Sequence, residues 1–410
     1  MDSALLVLGI VSLLLALAVV VRGRNIGPLV VPYFVIGWLQ GELAPHLIVM
    51  QAVAAVALVA GGALDSSRGW WGLGSLVAAW AGLALAQFRA ARAEPVLRVA
   101  LRSGLNRPDE SPGELGRVRS YVPYVDLVNP FRTRRRGVEV IRDIAYGDGG
   151  RRNHLDLYRP VRRDKPLPVV LQIHGGGWTI GDKREQAGPL MNLLAANGWA
   201  CVAANYRLSP AATFPDHLID VKRAIGWIRR CGPEYGLDPA FIAVTGGSAG
   251  GHLSALAALT GNDPWFQPGF EDVDTSVDAC VPFYGIYDFL DRDGAFARQS
   301  MQGFLQRYVM KVPLTDGRDV WERASPISHV HPGAPPFFVI HGTHDTLALV
   351  ENARTFVAAL RSVSRQPVVY AELPGAQHAF ETFHSLRTGH TINAVHRFLE
   401  NVYAARRRAA

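Results

Sequence analysis

Four short segments after residue 173 of the chain carry the side-chain types that nucleophilic acyl chemistry requires. The first is GGSAG, in which Gly246 and Gly250 flank Ser248 with the spacing Gly-x-Ser-x-Gly. A serine hydroxyl becomes a good nucleophile only when a neighbouring base removes its proton. It must also project from a sharp turn between a strand and a helix, which neighbours without side chains permit. The motif therefore predicts Ser248 as a nucleophile at such a junction.

A base and an acid follow this serine along the chain. Asp345 comes after the apolar segment PPFFVIHG, and His378 comes after the apolar segment PVVYAELPG. In a serine, acid and histidine arrangement, the imidazole accepts the serine proton and the carboxylate fixes the tautomer of the imidazole. We predict His378 as the base and Asp345 as the acid. Asp288, in YGIYDFLD, is an alternative acid because it also follows a strand-like segment.

The fourth segment, HGGGW, is a bare stretch of backbone. The apolar run VVLQI leads directly into it and to Gly175, Gly176 and Gly177. An attacked carbonyl becomes an oxyanion, which preorganised backbone N–H groups stabilise. We predict these glycines and Ala249, the residue after the nucleophile, as the oxyanion hole. A phosphate cradle is the alternative, but the sequence has neither Gly-x-Gly-x-x-Gly nor a Gly-Lys-Ser/Thr ending at this place.

Metal and redox chemistry have weaker support. His341 and His344 form a pair in HGTH, but no third ligand follows nearby, so the pattern is a poor zinc signal. Cys201, Cys231 and Cys280 are few, odd in number and widely spaced, which predicts no disulfide framework. We therefore expect a reaction that needs neither a metal nor a cofactor.

Alternating strand-like and helix-like segments position these residues. The alternation begins at Val138 and is typical of an α/β domain with a mostly parallel sheet. The continuous apolar run before HGGGW is typical of a strand that is buried on both faces. GGSAG follows the apolar segment FIAVT and precedes the helical pattern HLSALAAL, as the nucleophile motif requires. Residues 138–410 are predicted as one catalytic domain.

The first 88 residues carry most of the apolar excess and predict a transmembrane region. Uncharged stretches long enough to cross a bilayer cover residues 4–21, 43–64 and 70–88. Residues 26–40 are shorter and contain Pro28 and Pro32, so they predict a re-entrant or surface segment, or a fourth short span. A cleaved signal peptide is a poor alternative, because Asp2 replaces the usual positive charge and further apolar segments follow.

Arginine placement predicts the orientation of these spans. Arg22 and Arg24 follow the first span, and further arginines follow the last span at 89, 92, 98 and 102. Positive residues stay on the cytoplasmic side. Three spans satisfy this rule for both groups, with the amino terminus outside and the catalytic domain at the cytoplasmic face of the membrane.

Residues 89–137 are rich in Gly, Pro, Ser and charge, and are predicted as a linker with a possible contribution to a cap. Within them, RTRRR at 132–136 is the densest basic cluster. Attraction to anionic lipid headgroups or a solvated linker accounts for it. The net charge of +7 does not indicate nucleic acid, because only four of the 42 basic residues are lysine, as in proteins from GC-rich genomes.

The motifs HGGGW, NYRLSP, GGSAGGH, HGTHD and GAQHAF together resemble the hormone-sensitive-lipase-like carboxylesterases of the α/β-hydrolase superfamily. The resemblance covers about residues 138–405, with five motifs in the right order. It implies an α/β-hydrolase fold, in which a mostly parallel central sheet has helices on both faces and a cap. It also implies the triad roles for Ser248, Asp345 and His378.

By the same resemblance, the main oxyanion donors are Gly176, Gly177 and Ala249, with His174 and Gly175 shaping the loop.

Two positions depart from the family's pattern. Gly247 stands where many members carry Asp or Glu, and Ala211 stands where Glu is common. Neither is a triad position, but both leave the subfamily open, and formamidase-like and acetyl-esterase relatives are also similar. The membrane-anchored, arginine-rich layout resembles esterases of mycobacteria and related actinobacteria.

These observations lead us to expect a membrane-anchored serine esterase that hydrolyses short- to medium-chain or lipid esters through an acyl-enzyme on Ser248. Residues 291–325, with part of 110–137, are expected to form a cap that sets the acyl-chain length. An amide or formamide hydrolase, or an acyltransferase, would use the same residues. A non-catalytic, membrane-tethered binding module is a further alternative.

Overall fold

The computed structural model describes residues 1–23, 26–105, 122–292, 294 and 301–409. Parts of three predictions lie outside the described residues: Arg24 of the orientation argument, residues 106–121 of the linker and cap contribution, and residues 293 and 295–300 of the cap.

The described amino-terminal region consists of helices. They are α1 (Asp2–Val20), α2 (Val30–Glu42), α3 (Ala44–Ala60), α4 (Ser67–Ala91) and α5 (Ala93–Gly104). Pro32 and Pro45 lie in the first turns of α2 and α3. A proline there removes no helical hydrogen bond, because the first N–H groups of a helix have no partner within it. The segment 26–40, which contains Pro28 and Pro32, therefore forms a short turn followed by the separate helix α2.

Helices α1, α3 and α4 lie side by side, so that their ends meet at two levels, one at each end of the group. At one level, Ser66 donates a hydrogen bond to Asp2 over 2.7 Å, and Gly61 lies beside the side chain of Met1. At the other level, Arg89 of α4 donates hydrogen bonds to the last carbonyl groups of α1. Helix α2, with the short turn before it, is bent by 83° from α3 and therefore lies across this second level.

Within the described ranges, two helices are long and apolar enough to cross a membrane. They are α1 and the helix that continues from α4 into α5, Ser67–Gly104. The bent pair of α2 and α3 adds a third candidate if it counts as one span. Many apolar side chains of these helices are exposed, including Val7, Ile10, Val11 and Leu14 of α1 and Val49, Met50, Val53 and Val56 of α3.

Helix α5 differs from the sequence expectation, which made this segment part of a linker. Its buried residues are Ala93, Leu97, Ala100 and Leu101, at the spacing of one helical face. They belong to the apolar core on one face of the central β-sheet. The arginines between them hid this short amphipathic pattern in the sequence.

The described strands form one eight-stranded sheet in the order β1-β2-β4-β3-β5-β6-β7-β8. The strands are β1 (Val138–Ala145), β2 (His154–Pro160), β3 (Leu167–Ile173), β4 (Ala200–Ala204), β5 (Leu237–Gly247), β6 (Ala279–Phe283), β7 (Phe337–Gly342) and β8 (Val368–Leu373). The pairs β1–β2 and β2–β4 are antiparallel, and all other neighbours are parallel.

The described helices after α5 include those that cover both faces of the sheet. They are α6 (Tyr124–Val128), α7 (Gly188–Ala196), α8 (Asp216–Cys231), α9 (Ala249–Leu259), α10 (Met301–Phe304), which continues as a π-helix over Leu305–Met310, α11 (Arg318–Arg323), α12 (Val350–Val363) and α13 (Leu386–Ala409).

Strand β3 shows how the two faces are built, since all of its residues are buried. Leu171 packs in the core with α8 and α9, whereas its neighbour Val170 packs in the core with α7 and α13. The fold class predicted from the sequence, a mostly parallel sheet with helices on both faces, is confirmed.

Candidate active site

Ser248 forms the turn between β5 and α9. Strand β5 ends at Gly247 and α9 begins at Ala249, so Ser248 alone reverses the chain. Its φ of 58° and ψ of −120° lie in a region that residues with a side chain rarely adopt. Backbone strain of this kind occurs at functional sites. The strand, serine and helix follow one another in the order that the nucleophile motif requires.

Close packing explains the two glycines of the motif. A Cβ atom at Gly246 would lie 2.4 Å from the carbonyl oxygen of Ile173, at the end of β3. A Cβ atom at Gly250 would lie 2.0 Å from the same oxygen. Only glycine leaves room for the neighbouring strand on both sides of Ser248.

The glycine segment after β3 lies beside this turn. Gly175 approaches the carbonyl oxygen of Gly247, and its N–H donates a hydrogen bond to Gln186 Oε1 over 2.7 Å. That amide is therefore used within the protein. Gly176 and Gly177 have φ values of 110° and 57°, and no backbone carbonyl of the described chain accepts a hydrogen bond from either amide.

The N–H group of Ala249 is the first of α9, and the first N–H groups of a helix have no partner within it. Three backbone donors near Ser248 thus remain for a ligand.

The ring of His174 contacts the glycine segment and supports its conformation. Its Nδ1 atom lies 2.7 Å from the carbonyl oxygen of Gly175, and its ring stacks on Tyr206 with centroids 4.4 Å apart. Burial lowers the pKa of His174 to about 4, so the ring is neutral at pH 7. A neutral ring with a proton on Nδ1 donates to this carbonyl group and holds the loop in its conformation.

The structure brings His378 and Asp345 together. His378 lies in the loop after β8, Asp345 lies in the loop after β7, and the distance from Nδ1 to Oδ2 is 2.7 Å. The other carboxylate oxygen, Oδ1, accepts hydrogen bonds from the backbone N–H groups of Leu347 and Ala348 over 2.9 and 2.8 Å. The carboxylate is completely buried. Both of its oxygen atoms are thus held in place.

Burial alone would raise the pKa of Asp345. The proximity of His378 and the hydrogen bonds from His341 and His378 outweigh burial and hold the pKa well below its usual value. Asp345 is therefore a carboxylate throughout the pH range in which histidine titrates.

The alternative acid, Asp288, has a different partner. Arg292 donates a hydrogen bond to it over 2.6 Å from the side chain and another over 2.8 Å from the backbone. Asp288 therefore forms an ion pair with an arginine four residues later, and His378 is paired with Asp345.

Gln377 connects the two loops and was missed by sequence reasoning. Its Oε1 atom accepts hydrogen bonds from the backbone N–H groups of Thr346 and His378, each over 2.9 Å. The side chain is buried. Adjacency to the predicted histidine was the one signal in the sequence, and it does not reveal a contact across two loops.

The histidines of HGTH point to different partners. His341 Nε2 lies 2.7 Å from the carbonyl oxygen of Ala348 and 3.4 Å from Asp345 Oδ2. His344 is hydrogen-bonded to the backbone of Val19, and burial and two arginines lower its pKa to about 4. Among the described residues, no group of three or more His, Cys, Asp or Glu side chains is placed to hold a metal ion.

The chain is similar to one protein family and to several esterases. The family described as BD-FAE matches residues 155–360. The probable carboxylic ester hydrolase LipM of Mycobacterium tuberculosis is 52% identical over 339 residues, which cover 80% of this chain and 78% of LipM. Esterase LipQ of the same organism is 40% identical over 386 residues, which cover 91% of this chain and 85% of LipQ.

The chain belongs to the BD-FAE family. Among solved structures, the propionate-bound esterase Est2 of Thermogutta terrifontis has a TM-score of 0.54 and 26% identity, and covers 65% of this chain and 95% of its own. The resemblance to α/β-hydrolase carboxylesterases and to mycobacterial esterases is therefore confirmed, and the chain is an ester hydrolase.

A buried tyrosine explains one of the departures from the family's pattern. A Cβ atom at Gly247 would lie 2.5 Å from the hydroxyl oxygen of Tyr284. That hydroxyl group donates a hydrogen bond to Glu381 over 2.5 Å, and the ring of Tyr284 lies 4.4 Å from the ring of His378. Tyr284 therefore fills the space that a side chain at position 247 would take, and Glu381 supplies a carboxyl group nearby.

Helix α2 reaches the same histidine, which the sequence did not predict. The ring of Phe34 meets the ring of His378 edge-on, with centroids 5.7 Å apart and an angle of 85° between the planes. The amino-terminal helices therefore contribute to the surroundings of the site.

The described part of the expected cap also approaches the site. Phe304, the last residue of α10, lies 3.3 Å from the position that a Cβ atom of Gly177 would take. Leu305, Val309 and Met310, in the π-helix that follows, are buried in the core. This segment is thus packed above the glycine loop.

Proposed function

We propose that the chain is a serine esterase in which Ser248 is the nucleophile, His378 the base and Asp345 the acid. The observation that carries the proposal is the 2.7 Å contact between His378 Nδ1 and Asp345 Oδ2. Parallel strands β5, β7 and β8 present the three residues after their carboxyl ends, at one edge of the sheet. With Nδ1 bound to the acid, Nε2 is the atom that accepts the serine proton.

The reaction proceeds in two halves. Ser248 Oγ attacks the ester carbonyl carbon while His378 takes the hydroxyl proton, and the N–H groups of Gly176, Gly177 and Ala249 stabilise the oxyanion. The adduct collapses when the imidazolium returns the proton to the leaving alcohol, which leaves an acyl group on Ser248. Water then attacks this acyl-enzyme while His378 takes a proton from it, and the imidazolium returns that proton to Ser248 Oγ as the carboxylic acid leaves.

Membrane anchoring is part of the proposal. It is supported by the exposed apolar surfaces of α1, α3 and α4 and by the common levels of their ends. These three helices cross the bilayer, and α2 lies at its surface. Arg22, Arg89 and Arg92 are at the end that adjoins the catalytic sheet. The positive-inside rule then puts the catalytic part on the cytoplasmic side.

A fluorophosphonate probe tests the chemistry directly. We expect the full chain in detergent to be labelled at Ser248 and to hydrolyse p-nitrophenyl acetate, because an activated serine attacks both reagents. Ser248→Ala should lose labelling and hydrolysis, whereas Ser362→Ala, an exposed serine on α12, should keep both. Labelling that persists in Ser248→Ala would overturn the assignment.

The alternatives predict other products from the same active site. Faster hydrolysis of N-formyl amides than of esters would indicate an amide hydrolase, and transfer of the acyl group to an added alcohol would indicate an acyltransferase. An unlabelled, inactive and folded wild-type protein would indicate a binding module. A reporter fused to the carboxyl terminus that is active only outside the cytoplasm would reverse the orientation.

A further inference from the structure

An aromatic row leads from the catalytic histidine to the surface. Phe34 contacts His378 and stacks on Trp38 with centroids 5.7 Å apart. Trp38 contacts Phe383 over 5.2 Å, and Phe383 contacts Phe131 over 5.4 Å. Phe34 and Trp38 are half-buried, while Phe131 is 62% exposed. The row thus consists of aromatic side chains along its whole length, and its far end, at Phe131, is exposed to solvent.

The row lies where α2 meets the catalytic part of the chain. The last residue of α2, Glu42, forms a buried ion pair with Arg387 of α13. Ser385, shortly after Phe383 in sequence, donates a hydrogen bond to Glu42 over 2.6 Å. Since α2 lies across the ends of the other amino-terminal helices, the row runs at the level where the proposed transmembrane helices end.

The outer end of the row has the composition of a membrane-surface segment. Its exposed apolar side chains are Tyr124, Val125 and Val128 of α6, together with Phe131. The basic segment RTRRR follows directly. Aromatic and apolar residues beside arginines favour insertion among anionic headgroups. His46, in the first turn of α3, lies 3.4 Å from the carbonyl oxygen of Val128, so α6 adjoins the corner between α2 and α3.

We propose that Phe34, Trp38, Phe383 and Phe131 bind the acyl chain of a membrane lipid ester, which reaches Ser248 from the bilayer surface along α2. The inference rests on the proposed serine-esterase function and names its substrate class. An ester with a long alkyl chain gains affinity for every methylene group that the row removes from water. A water-soluble short ester gains little from the row.

Chain-length selectivity tests this proposal. The full chain is reconstituted in vesicles of phosphatidylcholine and phosphatidylglycerol, and kcat/KM is measured for p-nitrophenyl palmitate and p-nitrophenyl acetate. We expect wild type to prefer palmitate. Phe34→Ala and Trp38→Ala should each lower the palmitate-to-acetate ratio about tenfold or more, which corresponds to about 1.4 kcal/mol of lost contact. Val31→Ala, at an exposed position of the same helix, should leave the ratio within about twofold of wild type.

Fluorophosphonate labelling separates failure of the proposal from loss of the fold. If the alanine variants do not fold, Phe34→Leu and Trp38→Leu replace them, because leucine keeps an apolar side chain. A palmitate-to-acetate ratio below that of wild type in these labelled variants then supports the proposal. An unchanged ratio in labelled Phe34→Ala and Trp38→Ala overturns the lipid proposal and leaves the esterase intact. A wild type that is not labelled at Ser248 overturns the proposed function itself.

Discussion

Arg387 of α13 forms a buried ion pair with Glu42 at the end of α2, and both side chains are 1% exposed. Ser385 donates a hydrogen bond to the second carboxylate oxygen of Glu42 over 2.6 Å. The pair joins the helix that contacts His378 to the segment that follows the histidine loop. The amino-terminal helices and the catalytic part are therefore connected by a contact that is energetically expensive to break.

Glu42→Gln should destabilise the protein, because it leaves the Arg387 guanidinium buried without a counter-ion. Breaking one half of a buried pair lowers the free energy of unfolding by about 3–5 kcal/mol. Thermal unfolding of the full chain in detergent, followed by loss of probe labelling, measures the change. The matched control is Glu322→Gln, since Glu322 lies 3.9 Å from Arg318 and both are well exposed; it should cost less than about 1 kcal/mol. Equal effects of the two substitutions would contradict the structural role of Glu42.

Asp345→Asn should lower kcat for p-nitrophenyl acetate by about four orders of magnitude, because an amide stabilises the wrong tautomer of His378 and leaves the imidazolium without a counter-charge. Steady-state kinetics, normalised to correctly folded protein by gel filtration, measures this loss. Asp288→Asn is the control: it breaks the pair with Arg292 and should lower stability while leaving kcat unchanged. A comparable loss of kcat in Asp288→Asn would return Asp288 to the role of acid.

Short sequence patterns were sufficient to predict the local geometry of the candidate site. Gly246 and Gly250 predict the tight turn at Ser248 because only glycine fits against β3. Asp345 and His378 were found because each follows an apolar segment, and parallel strands present such residues at one edge. Local patterns of this kind depend on a few neighbouring residues, so they can be seen in one chain.

Contacts between distant segments could not be predicted in this way. Phe34 reaches His378 across most of the chain, and nothing in either neighbourhood indicates the other residue. The ion pair of Glu42 with Arg387 likewise depends on how α2 bends from α3. Sequence reasoning therefore predicted Asp345 and His378, which the structure brings together, and missed the helix that flanks His378.

Lys222 should make stability depend on pH. Burial lowers its pKa to about 8, while an unfolded lysine has a pKa of about 10.4. The penalty for the buried charge is fully present below pH 8 and disappears as the pH rises towards the unfolded value, so stability increases over this window by up to about 3 kcal/mol. Denaturant unfolding between pH 7.5 and pH 9.5 should show the increase in wild type and in Lys165→Met, an exposed lysine, but not in Lys222→Met. The same slope in Lys222→Met would assign the effect to another group.

Gln377→Ala should impair catalysis without removing any reacting group. The side chain accepts hydrogen bonds from the N–H groups of Thr346 and His378, so its loss leaves two buried donors unpaired and lets the two loops move apart. Misplacement of a base by a fraction of an ångström lowers kcat, by about ten- to a hundredfold, whereas KM for a small ester depends little on it. The rate of hydrolysis of p-nitrophenyl acetate and the rate of fluorophosphonate labelling should both fall, since each needs His378 in position.

Gln377→Glu retains an acceptor oxygen and should recover part of the rate. Gln366→Ala, at an exposed loop position, should match wild type, and equal kinetics for Gln377→Ala would show that the loops hold their geometry without the bridge.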